Sequence, residues 1–198
     1  MRKLPIYLLI DVSESMNAAF STVQDALCKL ITAITRDPEL LEKAFISVIT
    51  FSDKTEQIVP LTDSLEFLLP ELNTHGSRSN LGAALQYVTG CANREVIRAT
   101  VERPGDWKPF LFIFSNGRAD DDLDGGIRTL KTQKWEQVVV CFPDKNANLD
   151  NLKKITVDFC GRGSFFSLES ADERNFASCF LFPDIDFGPD ADWSKLEF

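Results

Sequence analysis

The sequence predicts a doubly wound α/β fold, with a mainly parallel sheet, one antiparallel edge strand and helices on both faces. Three observations carry this. The segments LPIYLLI, AFISVITF, PFLFIFS and QVVVCF are unbroken apolar runs, as strands buried on both faces must be. Segments with apolar residues at three- and four-residue steps separate them, which is helical spacing. Polar, turn-rich loops follow the strand ends, where open parallel sheets place ligands.

The elements follow in order. Ile6–Ile10 is the heart of the first strand and runs into Asp11, Ser13 and Ser15. In AFSTVQDALCKLITAIT, Phe20, Val23, Leu27, Leu30, Ile31 and Ile34 mark one helical face, and the helix should stop near Arg36 because Pro38 follows. AFISVITF is β-branched and apolar, the second strand. KTEQIVP is more polar and closes on Pro60, which suits an edge strand. A short helical piece is expected at 64–69, then the loop NTHGSRSN, then a helix from Leu81 to about Thr100 with Ser79 or Asn80 as N-cap. After PFLFIFS come the polar loop NGRADDDLDGG and a short helix over Ile127–Gln133. QVVVCF is a strand, Leu149–Ile155 a helix, GSFFSL a weak terminal strand, and Ser170–Glu173 a capped start for ERNFASCFLF. Residues 1–182 thus read as one domain, and 183–198, PDIDFGPDADWSKLEF, as an acidic tail that is either disordered or a strap on the body.

A formal net charge of −9 argues against a nucleic-acid surface, which needs clustered Lys and Arg. No apolar run is long enough to span a bilayer, and none resembles a secretory leader, so the expected location is cytoplasmic. Five cysteines lie in apolar segments with no CxxC spacing, which reads as buried thiols rather than zinc or redox chemistry. There is no GxSxG, GxxxxGK[ST] or GxGxxG pattern, so no nucleophile elbow or phosphate loop is signalled. The lone histidine, His75, reads as a surface-loop residue.

Three loops share the same sheet edge: Asp11-Val12-Ser13-Glu14-Ser15, Ser79-Asn80-Leu81-Gly82 and Ser115-Asn116-Gly117. Their polar atoms are nearly all oxygen, the ligand type preferred by hard cations. DVSES matches the DxSxS motif of von Willebrand factor type A (VWA) domains, SNLGAAL resembles their second metal loop, and FSNG stands where TDG is usual. The resemblance runs over roughly residues 4–182 and is nearest to the bacterial TerY-like group associated with tellurium resistance.

It implies a Rossmann-like VWA fold and a metal-ion-dependent adhesion site (MIDAS). There Ser13, Ser15 and Ser79 would offer hydroxyls to magnesium, Asp11 would act through water or hydrogen bonds, and the third loop would contribute Asn116. It also implies a non-enzymatic module that binds a protein partner, through an acidic side chain at the metal, as an adaptor in a stress-response system. Ser79 keeps the hydroxyl of the usual Thr. Asn116 replaces the usual Asp and removes a full charge, which predicts weak or absent magnesium binding unless Asp120 or Asp121 bends in. Two alternatives stand beside this reading: a metal-free VWA scaffold with a degenerate site, and a hydrolase or phosphotransferase using Asp11.

Overall fold

The computed structural model describes residues 2–102, 104–143, 146–156, 163–169 and 171–180. The expected tail at 183–198, Cys160 and Ser170 lie outside the described residues. Six strands form one sheet in the order β3-β2-β1-β4-β5-β6. They are β1 (Leu4–Asp11), β2 (Ala44–Phe51), β3 (Thr55–Asp63), β4 (Phe110–Phe114), β5 (Gln137–Phe142) and β6 (Gly163–Ser167). All neighbours pair in parallel except β2 and β3, so β3 is the antiparallel edge.

The apolar runs are strands because both sheet faces are covered. On one face Ile6, Leu8 and Ile10 of β1 pack with α1 (Phe20–Arg36), α2 (Pro38–Lys43) and α6 (Glu173–Cys179). On the other, Tyr7 and Leu9 pack with α3 (Leu81–Glu95), α4 (Leu123–Leu130) and α5 (Leu149–Thr156). All eight residues of β1 are buried, and the alternation of its side chains sends them in turn to these two layers.

Local chemistry moves several boundaries from their expected places. Pro38 ends α1 as expected but also opens α2, because Asp37 accepts hydrogen bonds from the N–H groups of Glu39 and Leu40 and proline is well tolerated in a first turn. Pro60 lies inside β3 rather than closing it, tolerated because an edge strand has one unpaired side. Residues 64–66 form a turn and 67–69 are irregular rather than helical: Phe67 is buried while Leu65 and Leu68 are exposed. The helix after Ser79 stops at Glu95 instead of reaching Thr100, and the one after NGRADDD starts at Leu123, four residues before its expected start at Ile127, because Asp122 caps it through the Gly125 N–H. The final helix has the expected capped start, with Asp172 and Asn175 each accepting from the other's backbone.

Helices α3 and α4 meet at two glycines. A Cβ on Gly126 would lie 2.5 Å from the Gly82 carbonyl oxygen, against rigid backbone. Gly126→Ala should therefore destabilise the fold by about 1–3 kcal/mol through overpacking. Gly90→Ala, where the added Cβ meets only the flexible Arg94 tip at 3.3 Å, should be neutral or stabilising by up to about 1 kcal/mol. Urea denaturation of both variants checks the contrast, and equal losses would refute the close helix contact.

Candidate functional site

In the strand order, β1 lies between β2 and β4, so the crossovers on its two sides run in opposite directions and open a crevice at its C-terminal end. Asp11 ends β1, and Ile10 pairs with Phe114, which brings Asp11 level with Ser115 just beyond β4. Asp11 and Ser115 are both fully buried.

The Asp11 carboxylate organises what surrounds it. One oxygen accepts from the Ser13 N–H at 3.0 Å, and the other accepts from the hydroxyls of Ser79 and Ser115, each at 2.9 Å. Burial pushes its carboxyl above the ordinary carboxylate value, opposed by the hydrogen bonds from Ser13, Ser115 and Ser79. The Ser79 hydroxyl is also 2.9 Å from the Arg118 carbonyl, so its single proton serves two acceptors. Ser115 in turn accepts from the Gly117 N–H.

Backbone contacts bring the second loop to this carboxylate. His75 N–H donates to the Val12 carbonyl, Glu14 N–H to that of Gly76, Asn80 N–H to that of Ser52, and Asp120 N–H to that of Ser79. Gly76 has φ +81° and a Cβ there would lie 2.4 Å from an Asp53 carboxylate oxygen, so the turn requires glycine.

Ser13, Ser15, Ser79 and Asn116 meet above Asp11. The Ser13 and Ser15 hydroxyls lie 2.9 Å apart. Asn116 accepts the Arg118 N–H on its Oδ1 at 3.0 Å, which fixes the amide and turns Nδ2 toward the Ser15 hydroxyl at 3.1 Å. The third loop therefore presents a donor where a cation would need an oxygen.

Neither neighbouring carboxylate bends in. Asp120 accepts the Ser79 N–H at 2.9 Å and pairs with Arg118 at 3.0 Å; the Ser79 N–H, reinforced by Arg118, holds its carboxyl below the ordinary value. Asp121 accepts the N–H groups of Gly82 and Ala83 at 2.9 and 2.7 Å. It therefore does what Ser79 or Asn80 was expected to do: Asn80 holds the N-cap position of α3 but makes no cap bond, its Nδ2 donating to the Asp53 carbonyl. Its buried Oδ1 has no hydrogen-bond partner.

His75 is exposed, with Nδ1 3.1 Å from the Asn73 carbonyl, while the hydroxyls of Ser13 and Ser79 are engaged by Ser15, Asp11 and Arg118. The hydroxyl oxygens suit a hard cation in kind, and Asp11 is the one carboxylate among the expected ligands. Among the described residues no group of three or more His, Cys, Asp or Glu side chains could hold a metal, so a cation here would depend on hydroxyls. The set fits a weakly held, largely hydrated ion.

The family model for the von Willebrand factor type A domain matches residues 6–178. The chain belongs to the VWA family. Similar solved structures include manganese-loaded Plasmodium vivax TRAP protein, at TM-score 0.62 and 17% identity, covering 91% of this chain and 72% of that one. A second is the proximal thread matrix protein 1 of the mussel byssus with a zinc-occupied MIDAS motif, at TM-score 0.55 and 15% identity, covering 90% and 46%. A third is a VWA protein from Catenulispora acidiphila, at TM-score 0.63 and 13% identity, covering 89% and 41%. This VWA chain thus spans less than half the length of the last two. No curated protein matches it in sequence.

Ser115, Arg118 and the cap made by Asp121 were not foreseen. Ser115 had a signal, since it follows β4 at the edge where Asp11 ends β1. The roles of Arg118 and Asp121 depend on how one polar loop folds back, and no spacing encodes that. Asp121→Ala should strip two N–H groups of their acceptor and destabilise the start of α3 by about 1–2 kcal/mol. Hydrogen exchange at Gly82 and Ala83 should then speed up by about five- to thirtyfold; unchanged exchange would show that the cap contributes nothing.

Proposed function

We propose that this VWA domain is a non-enzymatic docking module that receives a protein partner at the crevice above Asp11. The observation that supports it most is the convergence of three loops on one buried carboxylate, leaving Ser15, Asn116 and Arg118 at the rim as hydrogen-bonding and charged groups. Asp11, the residue a hydrolase or phosphotransferase would use here, is fully buried with both oxygens accepting hydrogen bonds, and His75 is turned elsewhere. That inaccessibility supports binding over the hydrolase or phosphotransferase reading.

Ser13, Ser15 and Ser79 would hold a magnesium ion through their hydroxyls, with Asp11 supplying charge from beneath. When bound, such an ion supplies an electrophilic point for a carboxylate of the partner. The Asn116 amide favours a second reading, a metal-free docking face, because its donor already satisfies Ser15. The manganese and zinc in the two similar structures support the cation reading. The finer placement, an adaptor of the TerY-like, stress-response type, draws support from the sequence resemblance alone. A cytoplasmic location is supported by the free thiols of Cys28, Cys91, Cys141 and Cys179. Among the described residues no helix is long and apolar enough to cross a membrane.

Calorimetric titration separates the two readings. The wild type should half-saturate with magnesium on the order of millimolar, and Asn116→Asp should tighten binding on the order of ten- to a hundredfold. Sub-micromolar binding by the wild type would overturn the assignment of a charge-poor site, and no binding by either protein would leave the metal-free face. A partner that docks at the crevice should be lost by the Ser15→Ala/Asn116→Ala double variant, both residues lying at the rim. Undiminished capture by that variant would place docking on another face.

A further inference from the structure

At the opposite edge of the sheet, where the strands begin, a cavity of about 400 Å³ lies between the C-terminal end of α3 and the loops preceding β4 and β5. Its walls include Ile97, Arg98, Trp107, Lys108, Pro109 and Lys134. Ile97 and Trp107 are 43% and 38% exposed, so an apolar floor faces solvent. The walls are built rather than loose. Asp106 accepts the N–H groups of Ile97 and Lys3 at 2.9 and 3.1 Å, and the Trp107 N–H bonds to the Lys3 carbonyl. The Arg2 guanidinium stacks over Trp107, 4.2 Å from the ring centroid.

The charge here runs against that of the whole protein. Arg98, Lys108 and Lys134 are all exposed at the cavity, while its wall acid, Asp106, spends both oxygens on backbone N–H groups. Glu136 is within 3.6 Å of Lys108 and offsets one cation in part. In a chain of net charge −9 this is a basic, partly aromatic recess.

A segment of the same chain complements it. Residues 183–198 carry Asp184, Asp186, Asp190, Asp192 and Glu197 against Lys195 as their sole cation, with Phe187, Trp193 and Phe198 interspersed. The body delivers this segment to the correct edge. Helix α6 ends at Cys179, and the Phe180 ring lies 5.1 Å from that of Phe110, the first residue of β4. Phe110 directly follows Pro109, a cavity wall. At about 3.3 Å per extended residue, a few residues would span one sheet edge, well within the reach of a segment running from 183 to 198.

We infer that the acidic, aromatic segment 183–198 folds back across the strand-beginning edge and docks in the recess formed by Ile97, Arg98, Trp107, Lys108 and Lys134. Its carboxylates meet the three cations, and an aromatic ring enters between Ile97 and Trp107. The recess lies at the opposite end of the strands from Asp11, so the docked segment leaves the crevice open.

Zero-length carbodiimide cross-linking of the full chain, followed by peptide mapping, tests this. Links should join Lys108 or Lys134 to acids between 184 and 197 within the monomer, and the Lys108–Glu136 pair should link as an internal control. The Arg98→Glu/Lys134→Glu variant, altered only at exposed positions, should lose the Lys134 links and weaken those at Lys108. It should also be cut after Lys195 by trypsin about tenfold faster, because cleavage follows the population of the undocked form. Control links without tail links would overturn the proposal. So would tail links confined to a cross-linked dimer, which would assign the recess to a second copy, and so would unchanged cleavage in the variant.

Discussion

The arrangement of the strand-end face follows from one constraint, the burial of the Asp11 carboxylate at the switch point of the sheet. Removing a charge from water costs several kcal/mol unless donors replace its hydration. The donors come from three separated parts of the chain: the Ser13 N–H, the Ser79 hydroxyl and the Ser115 hydroxyl. Each loop is thereby tied to the same point, and the loops then tie to one another through Val12, Ser52 and Ser79 carbonyls. The serines are structural whether or not they meet a cation. Replacing their hydroxyls would leave a buried acceptor short of partners, which costs more than the net value of a satisfied hydrogen bond.

Much of this was legible in the sequence because the signals were redundant. LPIYLLI and PFLFIFS are apolar on both faces, so they belong in a covered parallel sheet, and a parallel sheet puts Asp11 and Asn116 at one edge. Ser79 was joined to them as the residue ahead of the next long helix and by the resemblance of SNLGAAL to the second metal loop of VWA domains. What stayed hidden was chemistry set by one residue acting across a loop. Asp37 turns Pro38 from a stop into the start of a second helix, and Asp121 caps α3 from 39 and 38 positions away, at Gly82 and Ala83. Leu65 and Leu68 have helical spacing yet are exposed, while Phe67 is buried and Leu69 packs partly against the core, and helical propensity without a buried face does not hold so short a segment.

The consequence of Asn116 is more than a lost charge. A second carboxylate at that position would stand close to Asp11 and would need a cation to relieve the repulsion between them. With the amide, Arg118 N–H holds Oδ1 and Nδ2 reaches Ser15, so the loop is satisfied by its own residues. Asp120, the neighbouring carboxylate expected to supply the missing charge, is committed to Ser79 N–H and Arg118. Internal hydrogen bonds thus do what a cation would otherwise do for the geometry of the crevice, which is held by its own residues.

That independence separates two properties that a charge-rich site couples. Where two carboxylates face each other, losing the ion both removes the electrophile and loosens the loops. Here the loops are tied to Asp11 by their own hydrogen bonds, and a cation would add only the electrophile. Any magnesium effect on partner binding should accordingly act on the contact itself, while the thermal stability of the fold rises only by the mass-action term for a weak ligand, which is small until its concentration exceeds its dissociation constant.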